Sequence, residues 1–379
     1  MPRMLLISAD DFSGVVPALT AALRRAGCDV VWRRQTLREL GLRRYWHAIR
    51  MTIAARWLYG RDASRLIDRT GAAFAARSRV NARLIERHPG IDAVILFNTN
   101  SICPSAPGRP RPQLILYTDY VNRLSKSLPH HGFDLLERRT HADWNALEGE
   151  ALLIQDRVLV MGQHVKPAME ALYGVRPDKV AAIGAGPGLD VDIERDGGCK
   201  DPSNRTILFV GKLGPVKGLD VLLQAFAKVR HVHADAVLHV VTGAEVAAPG
   251  VVVHRRVEER ELKELFYSAN VFVMPAFKEP LGLVFLEAMW SKCACIGTTT
   301  GSMPEMIQDG VTGYLIEPGD VAALAGRLEA LLADPAETRS MGERGYVAAK
   351  GYWSWDGVVQ RMLAQYRLRP TGDQAETRV

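Results

Sequence analysis

The 379-residue chain holds little cysteine and no long apolar run. Its five cysteines, Cys28, Cys103, Cys199, Cys293 and Cys295, are scattered, odd in number and without CxxC spacing. That excludes a disulfide framework and points to free thiols in a reducing compartment. No apolar stretch reaches bilayer length, and the opening MPRMLLISAD breaks off too soon for a secretory core, so the expected location is cytoplasmic. A Walker loop, a G-x-G-x-x-G fingerprint, a G-x-S-x-G elbow and an H-E-x-x-H pair are all missing, which leaves dinucleotide, hydrolase and zinc-protease chemistry without support. Low-complexity tracts and short repeats are absent too.

What is present is the balance of a folded protein, with 47% hydrophobic and 24% charged residues. The length predicts two domains and therefore a cleft. The net charge of +6 is unevenly spread, because arginines crowd residues 24 to 87 with few acids between them. That side should attract acidic partners, and nothing in the pattern asks for nucleic acid.

Strand and helix alternate throughout. MLLIS, a turn at DDFSG, the helical VVPALTAALRRAG and the strand CDVVW form a β-α-β opening, followed by strands at 92–97, 113–118 and 157–161. A second start, TILFVGKLGPVKGLDVLLQAFAKV at 206–229, repeats the arrangement. The fold class is α/β, with two Rossmann-like doubly wound domains: 1–185, then 186–355, then a terminal helix and tail at 356–379. The Gly-, Asp- and Pro-rich stretch between the two starts reads as linker.

Chemistry concentrates in PAFKEPLGLVFLEAMW, where Glu279 and Glu287 stand eight positions apart across a strand-to-helix junction. Gly282 and Leu283 fall at the helix N-terminus, where free amides suit an anion or sugar oxygens. Glu287 lies in an otherwise apolar helix and needs a partner: a ribose diol, or a nearby Lys or Arg in a core salt bridge. The turn GKLGPVKG brings Gly211, Lys212 and Lys217 to the sheet edge where α/β proteins bind ligands, either to neutralise a diphosphate or as a solvated capping loop.

Together these stretches resemble the retaining GT-B glycosyltransferases of the large family often numbered four, with its Gly-[Arg/Lys]-Leu…Lys-Gly turn and its Glu, seven residues, Glu motif. SKCACIGTTTGSMPEMIQDGVTGYLIEPGD (291–320) and DRVLVMGQHVKPAMEALYGVRPDKVAAIGAGPGLD (156–190) extend the resemblance. It implies a GT-B fold and transfer of a sugar from a UDP- or GDP-linked donor to an acceptor hydroxyl, with retention, no metal and no further cofactor. The acceptor is left open among a glycan, a lipid-linked sugar and a small molecule. Lys212 and Lys217 would hold the phosphates, Glu279 the donor sugar, the Gly282 and Leu283 amides sugar or phosphate, and Glu287 the ribose. The loop at Arg256 and Val257 would border the base, and the last helix would cross back to the first domain.

Two departures stand out. The family's N-terminal Gly-rich loop is reduced to Gly14, and Asp119 occupies the place of a His near the donor sugar. Asp119 either hydrogen-bonds a sugar hydroxyl or acts as a base on the acceptor, as an inverting enzyme requires. His130 and His131 stand in for that His or form an exposed turn. Two other functions compete: a nucleotide-sugar epimerase and a non-catalytic nucleotide-sugar-binding subunit.

Other patterns have plainer readings. Asp190 and Asp192 make an Asp-x-Asp in the linker, a weak metal motif. His231 and His233 lack further ligands, and Cys293 and Cys295 read as buried small residues. In GLRRYWHAIRMTIAARWLYG, Leu42, Tyr45, Trp46, Ile49, Ile53 and Trp57 recur at helical spacing among Arg43, Arg44, Arg50 and Arg56. This 41–60 segment is either a peripheral contact with an anionic membrane face, a cradle for an acidic acceptor, or an ordinary helix with its aromatics in the core.

Overall fold

The computed structural model describes residues 1–97, 99–103, 111–127, 142–201, 203–211 and 216–367. His130, His131 and Lys212 lie outside the described residues.

Short runs of branched and aromatic residues, apolar on both faces, suit a parallel sheet covered on both sides. The chain builds two of them. The first contains β1 Arg3–Ser8, β2 Asp29–Arg34, β3 Ala93–Phe97, β4 Gln113–Thr118, β5 Arg157–Val160 and β6 Val180–Ala182, in the order β2-β1-β3-β4-β5-β6. The second contains β7 Thr206–Val210, β8 Val237–Val241, β9 Val251–His254, β10 Val271–Val273, β11 Ala294–Thr298 and β12 Gly313–Ile316, in the order β12-β11-β10-β7-β8-β9. Every strand pair is parallel. The central strands β3, β4, β5 and β11 are buried along their whole length.

Helices flanking the sheets include α1 Val15–Arg25, α2 Arg43–Tyr59, α3 Gly71–Glu86, α4 Val165–Tyr173, α5 Leu219–Val229, α6 Glu259–Ser268, α7 Leu283–Trp290 and α8 Trp355–Arg367. Helix α8 crosses back to the first sheet. Asp356 pairs with Arg25 of α1 at 2.7 Å. Trp355 Nε1 donates to the Pro187 carbonyl and Arg361 Nε to that of Ile183, both at 2.8 Å.

The head of the Gly-, Asp- and Pro-rich stretch is not linker, because Val180–Ala182 pairs with β5 as a sixth strand within 1–185. Three residues between Pro177 and Gly184 are too few to show a period. Helix α2 also departs from the core reading of its aromatics. His47, Met51 and Ala55 face inward, while the opposite stripe is exposed, Leu42 at 85% and Trp57 at 83%. Among the described residues, no helix is long and apolar enough to cross a membrane.

In each sheet the strand order reverses once, and open α/β sheets bind ligands at the carboxyl ends of the strands beside that reversal. In the second sheet the reversal falls between β7 and β10, whose following loops carry Lys217 and Glu279. In the first it falls between β1 and β3, and the loop after β1 carries Gly14.

Candidate active site at the facing sheet edges

Lys217 sits just before α5, and the loop holding it lies along the one after β10, with Phe277 N donating to the Val216 carbonyl at 2.9 Å. This register brings Lys217 Nζ to 2.6 Å from Glu279 Oε2, and both side chains are largely buried. Gly211, at the end of β7, is buried with its Cα close to the Lys217 side chain.

Gly282 leads into α7 with a left-handed φ of +87°. A side chain there would strike Met303 as well as adopt an unfavourable backbone, so only glycine admits this turn. The turn sets Gly282 against the Glu279 side chain and Leu283 at the helix N-terminus, and Glu287 is buried one turn on.

Glu287 is 6% exposed, and among the described residues no Lys or Arg pairs with it. Oε1 accepts the Leu189 backbone N–H at 3.1 Å. Burial pushes its carboxyl up to about 7; the Leu189 and Gly188 amides pull the other way, and the Glu259 charge at the start of α6 adds to the rise. Among the described residues, the core-salt-bridge alternative finds no cation. Arg256 is exposed and Val257 partly buried, both in the short loop between β9 and α6 that leads to Glu259.

The first domain meets this group from across the cleft. Gly14, with φ +83°, starts α1 and touches Gly188, whose carbonyl oxygen a Cβ on Gly14 would overlap. The N-terminal loop thus reaches the linker one residue from the amide that Glu287 binds. Asp119 follows β4 and is partly buried. Its carboxyl is pushed up to about 6, by burial first; backbone hydrogen bonds oppose this, the Glu279 charge adds to it and His164 opposes it. The Lys278 ammonium lies 5.6 Å from the Tyr120 ring, so the ends of β4 and β10 face each other.

Lys217, Gly211, Gly282 and Asp119 thus gather around Glu279, while Glu287 stands against the linker at Leu189 beside Gly14, and Arg256 and Val257 lie in the loop leading to Glu259. Sequence reasoning missed His164, which precedes α4. Its Nδ1 lies 3.2 Å from both Glu305 Oε1 and Ser302 Oγ. A polar pair following β5 was the sole local signal, and its partner stands 141 positions away. Asp190 and Asp192 do not converge. Asp190 pairs with Arg195, whereas buried Asp192 accepts from Tyr346 and Lys350.

Two facing doubly wound sheets, joined by a linker and a returning helix, define the GT-B class. Residues 204–334 match the family model described as Glycosyl transferases group 1, so the second domain is a group 1 glycosyl transferase domain. Over 252 residues the chain is 27% identical to a D-inositol 3-phosphate glycosyltransferase of Segniliparus rotundus, covering 59% of this chain and 55% of that protein. It is 32% identical over 191 residues to an alpha-maltose-1-phosphate synthase of Mycobacterium tuberculosis, covering 44% and 49%. The chain thus spans about half the length of the curated relatives it matches. Among solved structures, sucrose-phosphate synthase from Thermosynechococcus elongatus superposes with a TM-score of 0.70 at 17% identity, over 97% of this chain and 98% of that one. Anabaena HepE, solved with UDP and glucose, gives 0.64 at 12% identity, over 97% and 100%. At these identities the superpositions establish the fold.

Proposed function

We propose that the chain transfers a sugar from a UDP- or GDP-linked donor to an acceptor hydroxyl, with retention at the anomeric carbon and without a metal. The observation that carries this reading is the Lys217–Glu279 pair, 2.6 Å apart at the N-terminal end of α7 and facing Asp119 across the cleft. A donor diphosphate draws Lys217 to itself and stabilises there as a leaving group, since a fixed ammonium in a water-poor site lowers the cost of the developing charge. Glu279 is thereby released to accept hydroxyls of the transferred sugar. The free amides before α7 take a further oxygen, and Glu287 takes the ribose diol. The leaving diphosphate accepts the acceptor proton, and Asp119 holds a sugar hydroxyl.

Support also comes from the neighbour that bound UDP and glucose on the same fold. We take 1–185 as the acceptor-binding domain and 186–355 as the donor-binding domain, followed by a terminal helix that returns to the first and a tail, in a protein that works in the cytoplasm.

The test is a thermal-shift panel of nucleoside diphosphates, because a ligand that binds only the native state raises its apparent stability. UDP or GDP should raise the transition, and Lys217→Ala should abolish that rise. An unchanged rise in Lys217→Ala means that the phosphates bind elsewhere. Turnover of donor that requires an added acceptor separates transfer from epimerisation and from simple binding.

A further inference from the structure

The exposed face of α2 fits neither a core nor the donor site. Leu42, Tyr45, Trp46, Ile49, Ile53 and Trp57 are each more than half exposed and share a stripe about a third of the helix circumference wide. An exposed stripe of this kind on one helix marks an interaction surface. Its surroundings say which. Helix α2 contains Arg43, Arg44, Arg50 and Arg56 and no Asp or Glu. Beside the stripe a cleft of about 380 Å³ opens between α2 and α3, lined by Arg43, Arg50, Arg79 and Arg83 with His47, and among the described residues Glu86 is its single carboxylate. Among the described residues, Arg43, Arg50 and Arg79 pair with no carboxylate. Their positive field bears on His47, whose pKa is lowered by burial first and then by Arg79, Arg50 and Arg43.

We propose that this face docks on an anionic lipid bilayer, with the tryptophans and isoleucines of α2 in the acyl boundary and a lipid headgroup phosphate in the arginine cleft. Apolar side chains flanked by arginines match a surface that is apolar below and negative above. A protein partner would have to supply both an apolar groove and excess acid, and a second copy of the same basic face would repel it. Docking involves no donor, so it stands or falls separately from the sugar-transfer reading.

The full chain is mixed with phosphatidylcholine vesicles, with or without phosphatidylglycerol, and pelleted at low and high salt. Pelleting is expected with the anionic vesicles only, weakened by salt. Trp46→Ser with Trp57→Ser should lower the bound fraction tenfold or more, as should Arg43→Glu with Arg50→Glu, while circular dichroism and melting stay those of the parent. No pelleting on anionic vesicles at low salt overturns the proposal, as does equal pelleting on neutral ones or undiminished pelleting of the variants. Light scattering without lipid should give a monomer. A dimer that the tryptophan variant dissociates would make the face a self-interface and overturn it too.

Discussion

Glu305, in the second domain, accepts the backbone N–H groups of Gln163 and His164 in the first, at 2.7 and 2.8 Å. The carboxylate thereby satisfies two amides at the N-terminus of α4, a position where negative charge is favoured by the helix dipole. Burial acts to raise the Glu305 carboxyl, but the His164 side chain and the two amides outweigh it and hold it below the usual range. The bond spans the cleft, so it ties the domains together beside the candidate site.

Glu305→Ala removes that carboxylate and should cost about 1–2 kcal/mol, as loss of a helix cap does. Urea unfolding measures it. Because the folded-state pKa is depressed, the contribution is present above the unfolded carboxylate pKa and fades as pH falls through the folded one. The parent and variant curves should therefore converge in acid.

Glu287 gives the opposite sign. Its carboxyl is raised to about 7 in the folded protein, so between about 4.5 and 7 the native state holds more protons than the unfolded chain. Stability of the ligand-free protein should fall across that window by a few kcal/mol, and Glu287→Gln should flatten the fall. UDP or GDP affinity should move the other way and tighten as pH rises through about 7, because ribose hydroxyls donate best to the ionised carboxylate. Calorimetric titration at several pH values reads the slope, which the Gln variant should lose.

Asp119, raised to about 6, should set a limb on activity if sugar transfer is as proposed. With a working acceptor, kcat/KM should climb with pH through about 6, and Asp119→Asn should remove that limb. A hydrogen-bonding role predicts a loss of roughly tenfold in the variant, whereas removing a general base costs about 10²–10⁴-fold. The smaller loss is expected.

The strands were legible because each is a short apolar run between turn residues, and the second β-α-β start at 206 marked the repeat. Val180–Ala182 escaped because it is three residues long. That Glu279 stands in the loop and Glu287 inside the core could be read in advance, because one helix turn separates loop from core, which is local geometry. The Glu305 contact with Gln163 and His164 could not, since nothing near either segment names the other. Helical spacing on α2 revealed an apolar face but not whether anything covers it; that depends on which neighbours pack there, and only the fold answers it.

The chain passes between the domains twice, outward at 183–191 and back where α8 begins, and the two passages are bonded to each other through Ile183 with Arg361 and Pro187 with Trp355. Glu287 grips the outward passage at Leu189. The two crossings are therefore cross-linked to each other and make one bonded connection between the domains. Under the proposed function, the carboxylate that takes the ribose is thus the same one that holds the outward passage.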